Sequence, residues 1–265
     1  GYGGQWGHIE FIGTGASGSR LENCIVEQSA GANKDLYYDR YSGAIYIGDA
    51  SPEIVGCTIY GLSGTSSGIT IATGSPTISN NTITRTTDGI SVFGATPTVT
   101  GNTLTENSRF GISMQSDSGG LYEGNILRGN AYGMAAYYGT SNIIRNNIFS
   151  NNSVAEISAS GMVHTLEKWG ATGNVEFPNG IIIAQGGNAT IVSGRTLKTS
   201  GITVNDGGSL IFEPGAVIKM LTGYLQAPSL TVNGTLKTTG VTFKADAGYG
   251  GQWGHIEFIG TGASG

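Results

Sequence analysis

Residues 68–84, GITIATGSPTISNNTIT, and residues 89–105, GISVFGATPTVTGNTLT, write one pattern twice in succession. Each opens with Gly and a short alternating run, passes a Pro, and closes on Asn-Thr-aliphatic-Thr. The opening cue recurs as GAIYI at 43, GISMQ at 111, GMAAY at 133 and a degenerate AEISA at 155; the closing cue recurs as CTIY at 57, NILR at 125 and NIFS at 147. The period is about 22 residues. Short β-branched runs bounded by Gly, Asn, Ser and Asp predict strands, two or three to each period. A coil of that size cannot bury its apolar face alone, so the coils must stack into a solenoid of parallel sheets around a shared core. Alternation along the opening strand predicts that its second and fourth residues face inward: Ala44 and Tyr46, Ile69 and Ile71, Ile90 and Val92, Ile112 and Met114.

Stacking gives the asparagines a reason. Asn81, Asn102, Asn125 and Asn147 hold one coil position, where a side-chain amide can bond to bend backbone and to its neighbours above and below. Cys57 and Cys24 take that position in the two preceding coils, which predicts adjacent free thiols, close enough that a disulfide is the alternative.

The period is broken twice. Between GHIEF at 7 and GAIYI at 43 lies an inserted loop, SAGANKDLYYDRYS at 29–42. Residues 160–180 contain a stretch that reads as a short helical or capping segment, with Val163, Leu166 and Trp169 three apart. Coil-like strands resume after it with Thr and Lys in place of Asn. Residues 1–18, GYGGQWGHIEFIGTGASG, recur letter for letter at 248–265. The expectation is a window on a tandem array with a period of 247 residues; a duplicated or circularised piece would give the same letters. On that reading 1–160 is the β-helix body of one copy, 161–180 a seam or capping segment, and 181–265 the opening coils of the next copy.

Composition fits an all-β solenoid. Of 265 residues 46 are Gly, only 12% are charged, and the net charge is −5, which provides no basic field for nucleic acid. No run approaches the length of a membrane span. Two cysteines do not make a disulfide scaffold.

The repeated G-I-x-V followed by P-x-I-x-x-N-x-I resembles the right-handed parallel β-helix superfamily with pectate-lyase-like coils. The segments LTVNGTL (230–236), GQWGHIEF (251–258) and SRLENCIV (19–26) are similar to the opening coils of large bacterial extracellular β-helix proteins. The resemblance implies a secreted or cell-surface location. It leaves activity open, because that superfamily includes lyases, hydrolases, epimerases, binding modules, adhesins and passive spacers.

A polysaccharide lyase of this superfamily needs carboxylates for calcium and a nearby Arg or Lys to take the proton. Asp49 and Asp117 share a coil position but stand three rungs apart, roughly 14 Å at sheet spacing, too far for one metal. No strand supplies the paired aspartates of a galacturonan hydrolase, the Asp-Pro-His signature of alginate epimerases is missing, and His8, His164 and His255 are too scattered for a metal triad. No catalytic residue is therefore assigned. The remaining cluster is the inserted loop: Lys34, Asp35, Tyr37, Tyr38, Asp39 and Arg40, facing Asp49, Asp88 or Arg85, are candidates for a glycan or calcium subsite, the alternative being a solvated loop over the core. Phe93 and Tyr137, in the outward fifth place of the strand pattern, are candidates for an aromatic platform. Outward threonines (Thr82/Thr84, Thr103/Thr105) resemble the ranks of ice-binding solenoids, although Thr is ordinary on an exposed strand.

The sequence thus predicts a structural or adhesive repeat unit, forming a stalk or fibre and associating end to end with adjacent copies. Its alternatives are a carbohydrate-binding or polysaccharide-degrading β-helix and an ice-binding solenoid. No cofactor is expected beyond calcium at the loop.

Overall fold

The computed structural model describes residues 7–27, 29, 43–61, 67–115, 118–139, 142–164, 166–169 (backbone only), 174–221, 229–246 and 254–259. The chain divides into two compact units, residues 1–136 with 141–154, and residues 137–140 with 155–265. Every strand pairing described is parallel, and the helical turn at Thr14–Ala16 is a single 3-10 turn.

In the first unit each coil contributes one strand to each of three sheets. The first sheet runs Ile9–Ile12, Gly43–Gly48, Ser67–Ile71, Asp88–Val92, Phe110–Met114 and Tyr132–Tyr138. The second runs from Arg20–Glu22 through Glu53–Val55, Thr77–Ser79, Thr98–Thr100 and Gly120–Glu123 to Asn142–Arg145. The third runs from Ile25–Glu27 through Thr58–Tyr60, Thr82–Thr84, Thr103–Thr105 and Ile126–Arg128 to Ile148–Ser150. From the second coil onward corresponding residues recur at steps of 21 to 24, whereas the first coil, which carries the insertion, is 33 to 36 residues from its partners in the second.

Parallel register stacks like on like. Ile45, Ile69, Ile90 and Ile112 form one inward file, and Ile54, Ile78, Val99 and Tyr122 another, all fully buried. Burying one such side chain is worth about 1.5–3 kcal/mol, so repetition of the file is the main source of stability. The Gly of the G-I-x-V cue follows from the same stacking. A Cβ on Gly89 would lie 2.5 Å from the Gly111 carbonyl oxygen, and one on Gly111 would lie 2.6 Å from that of Gly133. At this column neighbouring backbones approach too closely for a side chain.

One inward assignment is corrected. In GAIYI the inward residues are Ile45 and Ile47, paired with Ile69 and Ile71, while Tyr46 pairs with Thr70 on the outer face. Gly43 pairs with Ser67, so Ala44, not Gly43, stands in the glycine column. The motif match was one residue out, and a one-residue slip exchanges the faces of a strand.

The second unit is built likewise. Ala155–Val163 is one long strand whose first part pairs with Val175–Phe177 (Ile157 to Val175) and whose end pairs with Ile181–Ile183 (Val163 to Ile183). From there one sheet continues through Thr196–Thr199 and Val217–Met220 to Thr242–Ala245, and a second through Ile202–Val204 and Leu230–Val232 to Ile256–Phe258. A third runs Leu166–Trp169, Asn188–Ile191, Ser209–Phe212 and Thr235–Thr238. Among the described residues of 160–180, those carrying the three-residue spacing are strand, not helix, in Ala155–Val163 and Leu166–Trp169: the spacing is overridden by pairing along parallel sheets.

Candidate functional site

The asparagine file is a hydrogen-bonded ladder. The Nδ2 of Asn81 donates to the Oδ1 of Asn102 (2.9 Å), that of Asn102 to Asn125 (3.0 Å) and that of Asn125 to Asn147 (2.9 Å). Each amide also donates to an inward-strand carbonyl, Ile54, Ile78, Val99 and Tyr122 in turn. Each Oδ1 further accepts the backbone N–H of the preceding rung, so the Cys57 N–H meets Asn81 at 2.8 Å. One rung earlier the pattern is kept with sulfur, the Cys24 N–H pointing to the Cys57 Sγ at 3.5 Å. Both thiols are free, and burial pushes the Cys57 thiol up from its ordinary pKa.

A second ladder stands at the next bend and escaped the sequence reading. Thr86 donates to the Oδ1 of Asn107, Asn107 to Asn130 and Asn130 to Asn152, at 2.7, 3.0 and 3.2 Å. Its signal was present in ENS at 106, GNA at 129 and NNS at 151, each Asn five residues after a rung of the first ladder. In both ladders the preceding residue turns the corner with positive φ: Asn80 and Asn146 before the first, Glu106 and Asn151 before the second. Asparagine tolerates that conformation best among non-glycine residues.

The candidate subsite residues are dispersed. Lys34, Asp35, Tyr37, Tyr38, Asp39 and Arg40 lie outside the described residues. Asp49 accepts a hydrogen bond from Thr73 of the next coil at 2.8 Å. Arg85 pairs with Glu106 at 3.2 Å. Asp88 is buried, and its carboxylate accepts Arg109 Nε (2.8 Å) and Nη2 (2.6 Å), the Ser91 hydroxyl (3.0 Å) and the Phe110 N–H (3.3 Å). That carboxylate holds the Arg109 guanidinium above its ordinary pKa. Asp49, Arg85 and Asp88 are thus each satisfied by a neighbouring coil and do not converge. Arg145 grips Glu123 through two bonds of 3.0 and 3.1 Å and holds its carboxyl below the usual range, helped by Asn146. Arg20 pairs with Glu22 and Glu53 in the same outward fashion. These charges act as ties between coils.

Among the described residues no three of His, Cys, Asp and Glu come together as a metal site. His8 and His255 each contact a glutamate, Glu10 and Glu257. The threonine columns run Thr58, Thr82, Thr103 and Tyr60, Thr84, Thr105, then pass to Ile126 and Arg128, which leaves two coils with Thr in both columns.

Phe93 is half-buried in the first unit. Tyr137, also half-buried, lines a groove of about 680 Å³ in the second unit. Met162, Ile182 and Thr203, in register on three successive coils, run along it. Ser160, Asn179 and Ser200 bring hydroxyl and amide groups, and among the described residues no charged side chain lines it. The sequence reading found Tyr137 but not the rest, because Asn179 and Ser200 are bend residues whose convergence depends on the stacking of coils outside the regular period.

No helix among the described residues is long and apolar enough to cross a membrane. No curated protein and no solved structure gave a significant match to the chain. A family model described as the right-handed beta helix region matches residues 11–213, well over half of the sequence. The parallel sheets, in-register inward files and asparagine ladders of the structure agree with that match. The chain belongs to the right-handed β-helix family.

Proposed function

We propose that the chain is a structural repeat unit of a secreted or cell-surface protein, built to extend a β-solenoid through tandem copies. The supporting observation is the pairing of the duplicated strand. In its first occurrence, Ile9–Ile12 is laddered to the coil after it, Ile9 to Ile45 and Phe11 to Ile47. In its second, Ile256–Phe258 is laddered to the coil before it, Leu230 to Ile256 and Val232 to Phe258. One sequence therefore accepts a parallel neighbour on either edge. A copy within an array would use both edges at once, and its sheet would pass into the next copy without a break. Continuous pairing also removes the exposed strand edges that invite unwanted association. The inter-coil ion pairs and buried amide ladders fit a body selected for rigidity, with charges spent on neighbouring coils.

Small-angle scattering of a chain carrying two covalent copies tests this. The maximum dimension should grow by about 4.8 Å for each added coil at an unchanged cross-section. A thickened cross-section would overturn the reading.

Carbohydrate binding is the second reading, and the groove favours it. An apolar row beside Tyr137, rimmed by hydroxyl and amide groups, suits a neutral sugar face; among the described residues its lining offers no cation to an acidic glycan. Saturable binding of neutral oligosaccharides that Tyr137→Ala abolishes would establish it. A glycan array giving no saturable binding, with or without calcium, would remove it.

A further inference from the structure

We infer that Lys198, Lys219 and Lys244 form a binding site in the second unit for an acidic polysaccharide laid across successive coils.

The strand register places the three lysines in one column. Lys198 pairs with Lys219, and Lys219 with Lys244, on successive strands of one parallel sheet. Their strand neighbours Leu197 and Thr199, and Ile218 and Met220, are fully buried, so alternation turns the lysines to the outer face. Strands stand about 4.8 Å apart, which spreads the three charges over about 10 Å. That is close to the screening length of about 8 Å at physiological salt, and the column acts as one patch of positive charge. Glu176 precedes Lys198 in the column. Among the described residues none of the three lysines has an ion-pair or side-chain hydrogen-bond partner. Lys198 and Lys219 are half-buried, and Lys244 is exposed.

Such a column is unfavourable by itself. Like charges on directly opposed strand positions repel, and threonine fills outward places without that cost, as Thr82 and Thr103 do in the first unit. Arg85, Arg109 and Arg145 of the first unit each meet a carboxylate one coil away, on Glu106, Asp88 and Glu123. The lysines have no such neutralising partner among the described residues. Nor is the column a by-product of a repeated motif. TLKT occurs at 196 and at 235, yet Lys237 belongs to another sheet, where it pairs with Ile211. A rank of like charge held at a fixed step complements a polymer that carries the opposite charge at regular intervals.

The neighbouring column decides which polymer. Thr196, Val217 and Thr242 stand two residues earlier on the same three strands, in register with one another. They set hydroxyl, apolar and hydroxyl groups beside the lysines, which suits the hydroxyls and ring face of a sugar. Each ammonium takes a carboxylate or a sulfate as a point charge. Nucleic acid fits less well. A single strand binds where its bases stack on aromatic side chains, and these two columns hold none. A duplex needs a broader basic field than a chain of net charge −5 offers. No residue of either column lines the groove beside Tyr137, so this is a second and chemically different surface.

The test titrates the full-length chain with polyglucuronate and with dextran sulfate, at low and at physiological salt. Neutral dextran and a single-stranded DNA of mixed sequence are the comparisons. The variants are Lys198→Gln, Lys219→Gln, Lys244→Gln, the three together, and Lys237→Gln as a charge-matched control. Saturable binding to at least one acidic polymer is expected, and the arm that responds assigns the anion as carboxylate or sulfate. Each single substitution in the column should weaken binding about two- to threefold and the triple about tenfold, with a shallower dependence on salt. Lys237→Gln should leave binding unchanged. Thermal melting gives a second readout: the polymer should raise the melting temperature of the unaltered chain and not that of the triple variant. If the triple variant failed to fold, Lys219→Arg beside Lys219→Gln decides. Binding kept by the first and weakened in the second supports the site, and equal losses overturn it. The proposal is also overturned by no saturable binding to either acidic polymer, by a loss in Lys237→Gln equal to that in the column variants, or by DNA binding more tightly than both polymers. The scattering length of a two-copy chain and the neutral groove do not depend on these lysines, so each reading can fail alone.

Discussion

The side-chain Nδ2 and the backbone N–H of Asn102 both donate to the Oδ1 of Asn125, each at 3.0 Å. Both residues are fully buried. The amide of Asn102 also satisfies the Ile78 carbonyl, and its own Oδ1 takes the Asn81 N–H. Truncating Asn102 therefore orphans polar groups on both neighbouring coils.

Leaving a buried polar group unmet costs about 1–3 kcal/mol. Asn102→Ala should destabilise the chain by about 3 kcal/mol or more, whereas Asn147→Ala, at the half-buried end of the ladder, should cost about half as much. Urea denaturation compares them. Equal losses at the two positions would mean that the ladder is not stabilised from its middle.

What could be read in advance followed from periodicity. Isoleucine files and the first asparagine ladder repeat at fixed offsets, and stacking turns a fixed offset into contact. The Ala44–Ile47 slip arose because the glycine column there holds Ala44, fully buried, while a neighbouring Gly43 imitates the motif. The second ladder was hidden because Thr86 replaces Asn in its first rung and the residues before it vary among Arg85, Glu106, Gly129 and Asn151. Asp88 looked available for a surface site because sequence does not show that Arg109, one coil on, closes over it. The groove beside Tyr137 draws on coils that no longer share the period, so no offset pointed to it.

At Cys57 sulfur occupies the acceptor place that Asn holds in later coils, and it receives the Cys24 N–H only at 3.5 Å. Cys57→Asn would extend the ladder by a rung, its Oδ1 meeting Cys24 N–H and its Nδ2 meeting Asn81 Oδ1. The expected result is a gain of about 1 kcal/mol from an added buried hydrogen bond, against a loss for Cys57→Ala. In the native chain a thiol reagent should modify Cys24 and leave Cys57 unmodified, since Cys57 is 1% exposed and its thiol is held protonated by burial. Equal labelling rates would show that the first coils open readily.

Removing Arg109 leaves the Asp88 carboxylate, 1% exposed, with Ser91 and Phe110 as its donors among the described residues. Breaking a fully buried pair costs about 3–5 kcal/mol, but the Arg109 side chain is 57% exposed, and solvent screening lowers the expected loss for Arg109→Ala to about 2 kcal/mol. Lysine cannot reproduce the two-pronged grip, so Arg109→Lys should recover less than half. Adding Asp88→Asn to Arg109→Ala should restore part of the loss by neutralising the stranded charge. A double substitution whose effects simply add would show that the two residues are not coupled.

Tyr122 supplies a pH dependence at the alkaline end. Its ring fills the inward file between Val99 and Ile144, its hydroxyl donates to the Gly119 carbonyl at 3.0 Å, and burial pushes the phenol well above its ordinary pKa. The folded state thus keeps its proton where the unfolded state gives it up. Its contribution to stability is complete below the unfolded value of about 10 and is lost as pH rises from there toward the folded pKa, with a slope of up to about 1.4 kcal/mol per pH unit. Tyr122→Phe should cost about 1 kcal/mol at neutral pH through the lost hydrogen bond and should flatten the alkaline decline. Tyr60, also raised but through Glu27 at the surface, is the comparison, and Tyr60→Phe should leave most of the slope in place. Urea midpoints followed from neutral to strongly alkaline pH, with phenolate absorbance recorded alongside, distinguish the two. A decline as steep in Tyr122→Phe as in the unaltered chain would assign the alkaline sensitivity to other groups.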